Sequence, residues 1–189
     1  MALYTRKGDK GDTGAFGCCK RFSKSSIFTE ALGSLDELNS FLGICKIKAN
    51  NFKFKIKIDT KTRYSIYEII ENIQNNLFII QAKIAGADKK ITEEKIFEIE
   101  KIIDGIEKEL SLIKSFFLPG GSELAAYLDY ARAVSRKTER KSVAHFKREK
   151  IKINDESLTY LNRLSSLLYA LARFVNFKLK IKEKTPDYK

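Results

Sequence analysis

A chain of 189 residues, 43% of them hydrophobic, is long enough to bury one good core and short for two, so a single domain over 1–189 is expected. No window approaches the roughly 20 uninterrupted apolar residues of a membrane span, and residues 1–6 lead into charge and glycine instead of an apolar signal region, so a cytoplasmic protein is expected. The 36 basic residues outnumber the 24 acidic ones for a formal net charge of +12, which favours an anionic partner: nucleic acid, acidic lipid or a polyphosphate nucleotide.

Along the chain, residues 4–26 carry Gly8, Gly11, Gly14 and Gly17 among polar residues, which predicts an ordered loop and excludes a helix. Leu32, Leu35, Leu38, Leu42 and Cys45 recur at helical spacing and predict a first helix from about 29 to 48. Phe52, Phe54, Ile56 and Ile58 alternate with lysines in the manner of a short strand, Phe177, Leu179 and Ile181 repeat the pattern, and the two are expected to pair as a small ribbon. A second helix is expected over 62–85, with Gly86 as its stop. A third begins at the N-cap Thr92, with Glu93 and Glu94 well placed against the positive end of the helix dipole. Pro119, Gly120 and Gly121 break the periodicity, a fourth helix follows over 122–150, and a fifth over 156–177 carries Leu158, Leu161, Leu164, Leu168, Leu171 and Val175 on one face. Five helices with short connections and no internal repeat predict an all-α bundle.

Chemistry is concentrated in three places. Thr5, Arg6, Lys7, Gly8, Asp9, Lys10, Gly11, Asp12, Thr13 and Gly14 supply backbone amides, hydroxyls and ammonium groups, the ingredients of a phosphate cradle, although the segment is neither GxxxxGK[ST] nor GxGxxG and a plain surface loop is the alternative. Arg132, Arg136 and Arg140 stand at i, i+4 and i+8 on the fourth helix, where like charges repel by about 0.2–0.5 kcal/mol per pair. Glu139, and Asp36 if the first and fourth helices pack together, are expected to compensate in part. A bound triphosphate gripped by guanidinium forks accounts for the stripe better than a solvated face does. Asp36, Asn39 and Ser40, and likewise Asn162, Arg163 and Ser166, put polar groups on otherwise apolar helices, where a satisfied polar network and a ligand site are both open readings. Cys18, Cys19 and Cys45 lack disulfide or zinc spacing, and His145 is the single histidine, so any catalysis relies on positioning and charge.

In this order and spacing, TRKGDKG from Thr5, GSLDELNS from Gly33, FFLPGG from Phe116, ARAVSRKTER from Ala131 and LNRLS from Leu161 resemble the PduO-type ATP:cob(I)alamin adenosyltransferases across nearly the whole chain. The resemblance implies a five-helix bundle (27–180) preceded by an ATP-binding loop (1–26), assembled as a homotrimer with interfacial active sites. It implies transfer of the 5′-deoxyadenosyl group of ATP to cob(I)alamin with release of triphosphate, the reaction of the cob(I)yrinic acid a,c-diamide adenosyltransferase class. Carried over residue by residue, Thr5, Arg6, Gly8, Asp9, Lys10, Gly11, Thr13 and Lys24 fall on the loop that wraps ATP. Arg132, Arg136, Glu139 and Arg140 fall on the helix that binds phosphates and Mg2+, with Glu139 its metal ligand, and Asn162 lies beside the nucleotide. Asp36 matches the acidic partner of the first arginine, and Phe116 the aromatic that keeps the lower face of cobalt free. A cobalamin reductase and an adenosylcobalamin-dependent enzyme are the partners such a protein implies; no nucleic acid and no membrane are expected.

Three positions depart from the pattern: Asp129 stands where the family often has histidine, Ser166 where aspartate usually follows Asn-Arg-Leu-Ser, and Cys18-Cys19-Lys20 adds a residue to the loop. Two competing readings are a polyanion-binding helical module and a cobalamin carrier. The first calls for one continuous basic face interleaved with aromatics, whereas the arginines here cluster beside Glu139 and the lysines lie elsewhere. The second is separated from an enzyme by turnover.

Overall fold

The computed structural model describes residues 4, 6–15, 20–149 and 156–188. Among these residues five helices run in the order α1 (Ile27–Ala49), α2 (Ile66–Ile84), α3 (Glu93–Glu107), α4 (Glu123–Arg148) and α5 (Glu156–Lys178). Side chains cap three of their N-termini. The Ser26 hydroxyl accepts the Thr29 amide ahead of α1, Ser65 and Glu68 close a full capping box on α2, and Ser122 accepts the Ala125 amide ahead of α4. Thr92 occupies the N-cap of α3 but its side chain makes no cap hydrogen bond. The second helix starts at Ile66 and not near 62 because Arg63–Ser65 is a strand.

Helix α4 packs between α1 and α5, α2 lies on the outer side of α1, and α3 on the outer side of α5. Their apolar stripes meet in one core that contains Leu35, Leu38, Leu42, Ile70, Leu77, Ile106, Leu128, Leu164, Leu168 and Phe174. Polar threads cross it: the Thr138 hydroxyl donates to the Ser34 carbonyl at 2.9 Å, and Tyr160, whose hydroxyl burial pushes far up its titration range, accepts from Asn76. Cys45 is buried in the core with its thiol pushed up to about 12, which leaves it unreactive. Cys18 and Cys19 lie outside the described residues.

Two two-stranded antiparallel hairpins accompany the bundle: β1 (Asp12–Gly14) with β2 (Arg21–Ser23), and β3 (Lys55–Lys57) with β4 (Arg63–Ser65). The first is extra order within the glycine-rich loop. The second corrects the expected ribbon. The strand at 55–57 pairs with the segment six residues on because a short loop closes at far less entropic cost than one of more than a hundred residues. Phe177 and Lys178 instead finish α5. The hairpin seats Ile56 in the core and crosses α3 at Gly105, where an added Cβ would lie 2.5 Å from the Lys57 carbonyl oxygen. No described helix is long and apolar enough to cross a membrane.

Candidate functional site

The arginine stripe joins two cavities. Arg132 and Arg136 line a cavity of about 990 Å³ whose apolar walls include Ile106, Leu110, Phe117 and Tyr169. Arg136 also lines a smaller cavity of about 300 Å³ with Glu139, Arg140, Val143 and Asn162. Spacing on α4 causes this: Asp129, Arg132 and Arg136 fall on one face at i, i+3 and i+7, and Glu139, Arg140 and Val143 extend it by two turns. Arg136 and Arg140 are exposed and Arg132 is half-buried, with its Nε sealed from solvent and without a hydrogen-bond partner among the described residues. A buried guanidinium N–H left unpaired marks a place where an acceptor from outside the chain belongs.

The expected compensation of the stripe differs from what forms. Glu139 accepts from the Asn162 side-chain amide at 3.0 Å and, among the described residues, from no arginine, and Arg163 donates to Asn162 Oδ1 at 3.0 Å while its own Nε rests 2.8 Å from Glu100. Between α1 and α4 the ion pairs among the described residues are Glu37 with Lys137 at 2.8 Å, Glu30 with Lys141, and Lys48 with Glu123 at 2.7 Å. Asp36 is exposed and forms no ion pair among the described residues, because its neighbour Glu37 is about 100° further round the helix and takes the side facing α4. The Asp36–Arg132 pair therefore does not exist within one chain. Asn39 is buried with an unpartnered Oδ1, whereas Ser40, Asn162 and Ser166 are exposed, and Ser166 lines the larger cavity.

Phe116 is 78% exposed and lines the larger cavity, so it is no core residue. It belongs to the 116–121 loop, which is fastened from behind. Asp129, replacing a histidine in the resemblance, is buried and accepts both the Gly120 amide at 3.0 Å and Arg173 Nη2 at 2.6 Å. Asn176 receives the Ser122 amide and donates to the Gly120 carbonyl, packed so closely that a Cβ on Gly121, at φ +99°, would meet its side chain at 2.6 Å. The chain after α5 then returns across this loop: the Leu118 amide donates to the Lys184 carbonyl, and Thr185, Pro186 and Tyr188 form part of the cavity wall. Arg173, Asn176 and this returning segment escaped the sequence reading. Arg173 on an otherwise apolar helix was the available signal, since a buried arginine needs an anion.

The N-terminal loop is built separately. Lys24 donates to the Gly8 carbonyl at 2.9 Å, closing the turn that carries Asp9, Lys10 and Gly11. Arg21 grips the Asp12 carboxylate with Nε at 2.7 Å and Nη2 at 2.5 Å and also reaches the Lys7 carbonyl, which holds the Asp12 carboxyl below its ordinary range. Thr13 pairs with Phe22 across the hairpin, Arg6 lies over the Tyr4 ring in a left-handed backbone conformation, and Thr5 lies outside the described residues. Phe22 stacks on Phe28, which meets His145 near the end of α4; burial lowers the His145 pKa below its ordinary value. Among the described residues of this loop none lines either cavity, so in one chain the loop and the arginine stripe are two separate candidate half-sites.

The sequence model for cobalamin adenosyltransferases matches residues 3–175. The chain is 37% identical over 176 residues to the corrinoid adenosyltransferase of Bacillus subtilis (strain 168), covering 93% of this chain and 87% of that protein. It is 37% identical over 180 residues to the corrinoid adenosyltransferase PduO of Citrobacter freundii, covering 92% of this chain but 49% of that protein, about half its length. Its fold is similar, with a TM-score of 0.84 and 28% identity, to a variant PduO-type ATP:corrinoid adenosyltransferase from Lactobacillus reuteri complexed with cobalamin and ATP, over 99% of this chain and 97% of the other.

Proposed function

The chain belongs to the cobalamin adenosyltransferase family, an enzyme class that adenosylates corrinoids, and we propose that it transfers the 5′-deoxyadenosyl group of ATP to cob(I)alamin, releasing triphosphate. The observation that carries this reading is Arg136, shared between a large apolar cavity and a small charged one. The apolar cavity has the volume and the exposed aromatic, Phe116, to take a corrin ring; the charged one has guanidinium forks for phosphates. Cobalt in the +1 state attacks C5′ with its own electron pair, a Co–C bond forms, the C5′–O bond breaks, and the pair leaves on triphosphate. No base is required, in keeping with a lone histidine buried between Phe28 and Phe146. Arg132, Arg136 and Arg140 hold the triphosphate in line and stabilise the charge it gains.

Glu139 suits Mg2+, which takes oxygen ligands and most of them from phosphate and water: it is a carboxylate placed between Arg136 and Arg140 and steadied by Asn162 through one oxygen. Bound with ATP, the ion would neutralise part of the charge on the leaving group.

The two half-sites meet when a second copy brings its loop to the stripe, which is why the active unit in this proposal is a cytoplasmic homotrimer with Asp36 of one copy facing Arg132 of the next. A cobalamin reductase supplies the cob(I)alamin and an adenosylcobalamin-dependent enzyme takes the product. The test is an anaerobic assay with ATP and chemically reduced cobalamin followed by absorbance, run beside sedimentation. Turnover by an assembly of three 21.6 kDa chains is expected, with Phe116→Ala slowing turnover while leaving the KM for ATP unchanged. Binding without triphosphate release would reassign the protein as a carrier, and an active monomer would remove the interfacial site.

A further inference from the structure

We propose that Arg173 is a positioning residue for the corrinoid: through Asp129 and Glu183 it clamps the segment after α5 against the 116–121 loop and so sets the spacing between two walls of the large cavity. The inference rests on the reading that this cavity takes the corrinoid.

Arg173 is 2% exposed, Asp129 4% and Glu183 15%, so the guanidinium sits between two carboxylates almost out of water. Asp129 belongs to α4 and Glu183 to the segment after α5, and the guanidinium reaches them with different nitrogens, Nη2 at 2.6 Å and Nη1 at 2.7 Å. The second contact is ionic and poorly aligned, since Nη1 and Nε have no hydrogen-bond partner among the described residues. Each carboxylate carries the order onward. Asp129 accepts the Gly120 amide and thereby fixes the loop that presents Phe116. Glu183 accepts from Asn176, which itself holds the Gly120 carbonyl, and the next residue, Lys184, receives the Leu118 amide. The guanidinium also lies over two rings, 5.7 Å from the centre of Phe117 and 5.0 Å from that of Tyr169, both of which line the cavity. Phe116, Phe117 and Pro119 of the loop and Thr185, Pro186 and Tyr188 of the returning segment, all lining the cavity, are thus referred to a single buried cation. A planar, always-charged side chain is the one that can serve two anions and two rings at fixed angles.

A latch between α4 and α5 that merely stabilised the bundle would involve Asp129 and Arg173 and leave Glu183 dispensable. The discriminating variant is therefore Glu183→Gln, which removes one charge beyond the last helix and keeps the shape. The KM for each substrate is measured, together with the absorbance of bound cob(II)alamin, which changes when its lower axial ligand leaves, and hydrogen exchange at the Leu118 and Ile181 amides. The expected result is a rise of about tenfold in the KM for the corrinoid, the loss normal for a charge-assisted contact, with the KM for ATP and the melting temperature unchanged. The cob(II)alamin signature weakens, and exchange at both amides, which bond to or anchor the returning segment, speeds up by about the same factor. Arg173→Lys, keeping charge without the fork, falls between, and Glu183→Asp recovers most of the wild-type KM. Unchanged exchange in Glu183→Gln overturns the clamp, and faster exchange with an unchanged corrinoid KM overturns its role in positioning. Failure of the wild-type enzyme to adenosylate any corrinoid would instead overturn the cavity assignment, while exchange still reports on the clamp.

Discussion

Two carboxylate–guanidinium pairs in this chain have nearly the same contact distance, 2.5 Å for Asp12–Arg21 and 2.6 Å for Asp129–Arg173, in opposite surroundings. The first lies in water on a glycine-rich hairpin, where solvent screens the attraction and the pair shapes a loop without holding up the fold. The second is buried between helices, where neither charge survives without the other and the loop fastened to it is held rigid. The contrast matches the two halves of the proposed site: a nucleotide-wrapping loop that can rearrange as a flexible triphosphate binds, and a preformed wall for a large rigid ring.

The largest test of that contrast is Arg173→Met. It leaves Asp129 buried with only the Gly120 amide as partner, and breaking one side of a buried pair costs about 3–5 kcal/mol, or roughly 10 °C in melting temperature for a chain of this size. A melting point close to the wild-type value would show that water reaches the pair and that the two regions are alike.

Next in size is Arg136→Ala, which probes the junction of the two cavities. Removing one donor that stabilises developing charge costs about 2.7–4 kcal/mol in the transition state, so turnover should fall by roughly 100-fold or more at undiminished melting temperature. Arg136→Lys should recover little, having lost the bidentate fork. A stable and fully active Arg136→Ala protein would reduce the stripe to a solvated face.

The smallest effect belongs to Asp12→Asn, expected to raise the KM for ATP a few-fold and leave the melting temperature unmoved. The accompanying pH profile has a definite sign. Hydrogen bonding from Arg21 depresses the folded-state pKa of Asp12 below its ordinary 3.8, so the contribution of the pair is complete above that ordinary value and lost as the pH falls through the lower, folded one. Between about pH 5 and 8 the KM for ATP should therefore be insensitive to this group. A transition in that interval, abolished by Asp12→Asn, would mean that the exposed pair is perturbed in the way a buried one is.

The sequence by itself determined the helical bundle, since leucines and isoleucines recurring every three or four residues can bury one stripe only by packing helices together, and Thr92 marks where α3 begins. It also determined the α4 stripe, because i, i+4 and i+8 share a face in any helix, and the motifs that placed Phe116, Glu139 and Asn162 near it. Only the tertiary structure decided which charges pair. Arg173 and Asp129 are 44 residues apart, and Asn176 reaches Gly120 across 56, separations at which no local rule specifies a partner. The same holds for Glu37 rather than Asp36 facing α4, for the lysine-rich strand choosing the nearby segment over the distant one, and for the return of the last residues across the 116–121 loop. Periodicity states which face of an element is apolar, whereas pairing depends on which elements lie beside it and at what rotation, and that is set by packing of the whole core.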